Sequence, residues 1–180
     1  MVTCNNYKYN EASNILREYN IEIIQIKKKR IEIQSDDIAN IAVFSLDNFK
    51  DDSRPIVVED AGIFIDYYNG FPGPYSSYVR QTIGIDGILK LMNGIEKRNA
   101  SYKSVVAYRN GHEKRCFKGT IKGQIAQSKR GTQGFGCDPI FIPNEGDGRT
   151  FGEMTEEEKN ALSHRARAFR GFGEWFARRE

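Results

Sequence analysis

Cysteine is sparse in this 180-residue chain: Cys4, Cys116 and Cys137 are odd in number, scattered and without a CxxC pair. They argue against a disulfide framework or a zinc site and favour a reducing, cytoplasmic setting. Histidine is scarcer still. His112, expected in a hairpin turn, and His164 are the two present, too few for a histidine metal cage. No apolar run approaches the roughly 20 residues of a membrane span, and the opening residues are no signal peptide. Excess charge is small: a net +3 suits a mildly basic enzyme with an anionic substrate and does not argue for nucleic-acid binding. There is no Walker-type glycine loop and no spaced-glutamate Nudix box. Internal repeats, low-complexity tracts and long linkers are missing too.

What is present reads as one folded α/β unit over residues 1–180. Charged residues at 28% and hydrophobic ones at 39% are an ordinary globular balance, and the length suffices for a core. Apolar spacing predicts a helix over Lys8 to Glu18 with Ala12, Ile15 and Leu16 inward, then strands at Ile21 to Ile26 and Ile31 to Gln34. A second helix is expected over Ile38 to Phe49, ended by a turn at Asp51-Asp52-Ser53. The apolar run Ile56-Val57-Val58 predicts a strand buried on both faces, and Ile63 to Tyr67 a further short strand. Gly70 to Pro74 is expected to be irregular, because proline and glycine there fix turns and remove donors. The helical stretch after it is interrupted at Gly84 and Gly87. Tyr102 to Tyr108 and Arg115 to Ile125 form a hairpin across Asn110-Gly111. A glycine-rich loop, Ser128 to Gly134, precedes a short strand at Ile140 to Ile142. Thr155 and Glu158 make a capping box, and one last helix runs from there through Leu162, Ala166 and Phe169, weakened at Gly171 and Gly173.

Several places carry chemistry. Glu59-Asp60 closes the apolar strand, where acids can hold a divalent metal or activate water; an isolated acidic pair more often only ends a strand. Alternation can point Glu32 to the same side, and hard oxygen ligands with a phosphate substrate suit Mg²⁺. Thr3, Asn5 and Lys8 open a helix, whose N-terminal N–H groups attract phosphate, although polar residues there are usually just caps. Phe135 between Gly134 and Gly136 offers a stacking face beside backbone that can approach a flat ligand closely; its ordinary alternative is a core phenylalanine in a tight turn. Lys159 lies one helical turn before Ser163 and can reach the same ligand as His164 and Arg165. A His-Arg pair of this kind is more often solvated surface. Arg167, Arg170, Arg178 and Arg179 read as a solvated face. A stacking face together with a carboxylate cluster suits an enzyme acting on a nucleoside triphosphate.

The order of these pieces resembles the inosine-triphosphate pyrophosphatases, the family of non-standard purine nucleoside triphosphatases, and most of all its archaeal members. Thr3, Asn5 and Lys8 match its T-x-N-x-x-K pattern, and Glu59-Asp60-Ala61-Gly62 its E-D-S-G. Gly70, Pro72, Gly73 and Tyr75 match G-x-P-G-x-Y, and Phe135-Gly136-Cys137-Asp138-Pro139 matches F-G-aromatic-D-P. Glu153-Met154-Thr155, Lys159 and Ser163-His164-Arg165 match E-M-T…K…S-H-R. The resemblance implies an elongated mixed central sheet flanked by helices, two lobes with a cleft, and a homodimer. It implies that Asp60 activates water and holds Mg²⁺ with Glu32, while Lys8 and the Thr3–Asn5 backbone grip phosphates. Phe135 would stack on the base, with Ala61, Gly136, Asp138, Lys159, Ser163, His164 and Arg165 around the substrate. The reaction implied is cleavage of ITP, dITP or XTP between the α- and β-phosphates, with no nucleic-acid or membrane partner.

Four departures accompany the match. Only Met1 and Val2 precede the Thr3 motif, so the family's first strand is cut short and a start further upstream is expected. A lysine usual in the helix at Ile38 to Phe49 is absent. Ala61 stands for serine, and Cys137 for an aromatic, which predicts a roomier base pocket. The rival readings are a Maf-like pyrophosphatase of the same fold, a weakened nucleotide sensor and a basic RNA-binding module. Ser163-His164-Arg165 speaks against the first and the Glu32–Asp60 pair against the second. The lack of aromatic-rich sheet motifs speaks against the third.

Overall fold

The computed structural model describes residues 1–50, 54–111 and 113–179. The turn expected at Asp51-Asp52-Ser53 and the placement of His112 lie outside the described residues. Helices α1 (Asn6–Arg17) and α2 (Ile38–Asp47) form where apolar residues recur at helical spacing. Ala12, Ile15 and Leu16 of α1, and Ile38, Ile41, Ala42 and Leu46 of α2, are buried. Asn5 and Asp37 cap them by accepting hydrogen bonds from Lys8 N and Ala39 N.

Strand β1 (Ile56–Ile65) joins what reads in the sequence as two short strands. Glu59 and Asp60 therefore lie inside a ten-residue strand rather than at its end. Beyond a single turn at Asp66–Tyr68, Pro72–Gly73 forms the two-residue strand β2, antiparallel to β1, where irregular chain was expected. Helix α3 (Ser76–Thr82) gives way to α4 (Gly84–Leu91) at Gly84, while Gly87 lies within α4 and interrupts nothing. The hairpin strands are β3 (Asn99–Asn110) and β4 (Glu113–Ile125), and β5 (Phe141–Pro143) is antiparallel to β4. The sheet order is β2-β1-β3-β4-β5. Residues 21–34 build no ladder strand. Their sheet-like contact among the described residues is a parallel bridge from Ile26 to Val2.

The last helix is two helices. Thr155 and Glu158 form the capping box of α5 (Glu156–Leu162), as expected, but Ser163 is extended and α6 (His164–Ala177) starts after it. Gly171 and Gly173 lie within α6 without breaking it. Gly119 of β4 meets its first turn so closely that a Cβ there would sit 2.0 Å from the His164 carbonyl oxygen. No described helix is long and apolar enough to cross a membrane.

The chain divides into two compact units. The first holds residues 1–61, 104–119 and 164–180, and its core packs Ile15 and Leu16 of α1 with Val57, Val106, Tyr108, Phe169 and Phe172. The second holds residues 62–103 and 120–163, and its core packs Ile63, Ile88, Met92, Tyr102, Phe141 and Phe151.

Candidate active site

The first unit assembles its polar residues around the start of α1. Thr3 Oγ1 accepts from Asn5 N at 3.1 Å, and Asn5 Oδ1 accepts from Lys8 N at 3.2 Å. Both side chains are thus engaged as caps, so phosphate attraction here rests on the helix N–H groups and on Lys8. The Lys8 ammonium is directed by a buried acid: its Nζ lies 2.8 Å from Glu59 Oε2.

Glu59 is the hub of this cluster. Oε1 accepts from Ser104 Oγ at 2.8 Å and from Arg165 Nε at 3.1 Å, and Arg165 Nη1 donates to Glu11 Oε2 at 2.5 Å. Glu11, Glu59, Ser104 and Arg165 are all buried. Burial alone would raise the Glu59 carboxyl, but Arg165 and Lys8 outweigh it and hold the group well below the usual carboxylate range. Arg165 and His164 are buried, which excludes the solvated-surface alternative for them.

Asp60, the next residue, is set the other way. Burial pushes its carboxyl up to about 6 against the pull of Lys8, and the neighbouring Glu59 charge adds to the rise. Its carboxylate makes no hydrogen bond or ion pair among the described residues. Glu32 is exposed and paired through Arg30 Nη2 at 2.7 Å, and Arg30 Nη1 donates to the Glu59 carbonyl at 3.1 Å, tying Glu32 to the Glu59–Asp60 segment. No group of three or more His, Cys, Asp or Glu residues able to hold a metal occurs among the described residues. Two carboxylates do fit Mg²⁺ nonetheless, because that ion keeps several waters and takes one or two carboxylates plus substrate phosphates. A buried carboxylate whose charged form is disfavoured by desolvation is a group a divalent ion would stabilise.

The second unit gathers Phe135, Asp138 and Lys159. Asp138 Oδ2 accepts from Phe135 N at 2.8 Å and from Lys159 Nζ at 2.7 Å. Gly134, with φ +72°, makes room: a Cβ there would lie 2.2 Å from Asp138 Oδ2. The Lys159 ammonium also stands 4.9 Å from the centre of the Phe135 ring. Phe135 is half-buried and outside both apolar cores, so the core-phenylalanine alternative is not what the chain adopts. Cys137 is different. It sits in the second unit's core, its thiol pushed up to about 12 by burial, with its N–H donating to Tyr102 Oη at 3.2 Å. Cys137 therefore packs as a core residue of the second unit.

The structure thus joins Lys8, Glu59 and Arg165 in one cluster, and Phe135, Asp138 and Lys159 in another. Ser163 is the extended C-cap of α5, so Lys159 lies on α5 while His164 and Arg165 open α6, rather than all three following on one helix. Sequence reasoning missed Glu11, Ser104 and Arg30. Glu11 had a signal: it lies three residues after Lys8 on α1, and both project to the same side. Ser104 had none, since one hydroxyl in an apolar strand looks like any other.

A model of the Ham1 family matches residues 1–175. A protein of Pyrococcus horikoshii named dITP/XTP pyrophosphatase is 48% identical over 175 residues, covering 97% of this chain and 94% of its own length. One of Methanopyrus kandleri with the same name is 47% identical over 171 residues, 94% and 90% of the two chains. Among solved structures, the Ham1 protein of Staphylococcus aureus has a TM-score of 0.84 at 25% identity, covering 99% of this chain and 98% of its own. A HAM1 protein from Coxiella burnetii has a TM-score of 0.85 at 26% identity, covering 98% and 96%. With its motifs in order, its α/β sheet and a match over nearly its full length, the chain belongs to the Ham1 family.

Proposed function

We infer that the chain hydrolyses non-standard purine nucleoside triphosphates, dITP, ITP and XTP, to the monophosphate and pyrophosphate. The observation that carries this is the unequal setting of two adjacent buried acids: Glu59 is ion-paired to Lys8 and Arg165, while Asp60 makes no hydrogen bond or ion pair among the described residues and burial raises its carboxyl to about 6. A general base works best with a pKa near the operating pH, and Asp60 has that property beside a lysine able to take phosphate charge. Asp60 Oδ accepts a proton from the attacking water, and the new P–O bond forms at the α-phosphorus as the bond to the β-phosphate oxygen breaks. Lys8 and the first N–H groups of α1 bind the phosphates. Asp60 and Glu32 would hold Mg²⁺, which when bound supplies charge neutralisation at the phosphates.

On the base side, Phe135 offers a stacking face, and Asp138 with Lys159 provides fixed polar groups. The family resemblance adds Ala61, Gly136, Ser163, His164 and Arg165. Choice between a 6-oxo and a 6-amino purine then rests on donors facing that position, because an amino group there leaves buried donors unpaired. We place the enzyme in the cytoplasm as a homodimer; the free thiols of Cys4, Cys116 and Cys137 agree with a reducing compartment. The test is pyrophosphate release from a panel of nucleoside triphosphates with Mg²⁺ and with excess chelator. Orthophosphate as the direct product, or equal turnover of ATP and dITP, sinks the reading.

A further inference from the structure

The geometry points to Glu59 as a positioning residue: its buried carboxylate holds the Lys8 ammonium where it meets phosphate, and itself touches no substrate. This rests on the functional reading above only in taking Lys8 as a phosphate ligand. Glu59 is 1% exposed, and its two oxygens divide their tasks. Oε1 is fixed from two sides, by Ser104 Oγ at 2.8 Å and Arg165 Nε at 3.1 Å, each from a different element of the first unit. Oε2 is left to Lys8 at 2.8 Å. A carboxylate anchored on one oxygen cannot turn, so the other presents its charge in one direction.

Lys8 is suited to be held this way and still bind. An ammonium has three donors and no acceptor, and its ion pair with Glu59 Oε2 does not exhaust them. Its side chain is 17% exposed, so the remaining donors can be reached by a ligand. A lysine is a point charge on a flexible stem, and a phosphate ligand must otherwise order that stem itself. Repulsion between Glu59 and phosphate opposes the effect. It is weak here, because Arg165 and Lys8 already face the Glu59 charge at salt-bridge distance.

Binding of inorganic pyrophosphate in the presence of Mg²⁺, followed by calorimetry, tests this without any turnover. Glu59→Gln keeps the shape but removes the charge, and should weaken pyrophosphate binding about tenfold or more. Lys8→Met should weaken it similarly. The double variant should be no weaker than Lys8→Met alone, since Glu59 acts through Lys8. Additive losses overturn the inference, because they mean that Glu59 supports the fold at large. Unchanged or tighter binding in Glu59→Gln also overturns it, as does wild-type protein that binds no pyrophosphate. Should Glu59→Gln not fold, Ser104→Ala reads the same cycle: it frees one side of Oε1 and should weaken binding about threefold to tenfold in the wild type. It should change nothing further in the Lys8→Met background. Wild type that binds pyrophosphate but releases none from dITP or XTP would refute the functional reading and leave this inference standing.

Discussion

Glu59 and Asp60 are neighbours on β1 with opposite protonation biases: one carboxylate is locked by Lys8 and Arg165, the other has no ion pair among the described residues and is raised to about 6. Asp60→Asn should therefore do two things at once. It should remove most turnover, since general-base catalysis typically contributes factors of about 10²–10⁴. It should also stabilise the fold near pH 8. The folded-state pKa of Asp60 lies above its ordinary value of 3.8, so the contribution of Asp60 itself to stability falls as pH rises from about 4 to about 6, and the amide removes that loss. Melting temperatures across that range, with assays of the same samples, check both. Near-normal turnover in the variant, or a variant that gains no stability relative to the wild type as pH rises through this window, contradicts the assignment.

Arg165→Ala takes the guanidinium away from the buried Glu11 carboxylate and leaves Glu59 with Lys8 as its cation. Breaking a buried ion pair by removing one partner costs about 3–5 kcal/mol, so denaturant unfolding should show a loss of that order. Stability should be lost chiefly above the ordinary carboxylate range, because the paired Glu59 is held below it and keeps its charge. Acid should narrow the gap between variant and wild type. An Arg165→Ala protein as stable as wild type at neutral pH would mean the three-residue cluster contributes little.

Much of this was legible before any coordinates. Ala12, Ile15 and Leu16, and Ile38, Ile41, Ala42 and Leu46, have the spacing of single helix faces, and they are buried as that spacing requires. The errors share one cause, partners distant in sequence. Glu59, Asp60 and Gly62 look like the end of a strand, yet the ladder continues through them, with Arg165 and Lys8 balancing the Glu59 charge inside it and Ser104 donating a hydrogen bond to it. Leu162, Ala166 and Phe169 look like one stripe, yet Leu162 packs on the second unit's core and the other two in the first's, with the break at Ser163. No glycine or proline marks that break.

Phe135 is half-buried, with Lys159 over its ring and no place in either apolar core. Phe135→Ala should weaken substrate binding by about 1–3 kcal/mol, the range of base–aromatic stacking. The rise in KM should be similar for dITP and XTP, since stacking does not read base edges. A large fall in melting temperature with KM unchanged would instead make Phe135 a packing residue.

Asp138 and Lys159 form a buried pair 2.7 Å apart, with side chains each 3% exposed. Asp138→Asn leaves the ammonium without its anion, and Lys159→Met leaves the carboxylate without its cation; each should cost about 3–5 kcal/mol. Replacing both removes the two charges together, so the double variant should regain much of the stability lost by either. Its activity should not recover. With Lys159 gone, the polar groups proposed to face the base are absent, and the preference for dITP over ATP should shrink. Unfolding free energies for the four proteins of the cycle, and kcat/KM for both nucleotides in wild type and double variant, separate the outcomes. A double variant that regains stability and keeps full discrimination would show that Asp138 and Lys159 serve the fold alone.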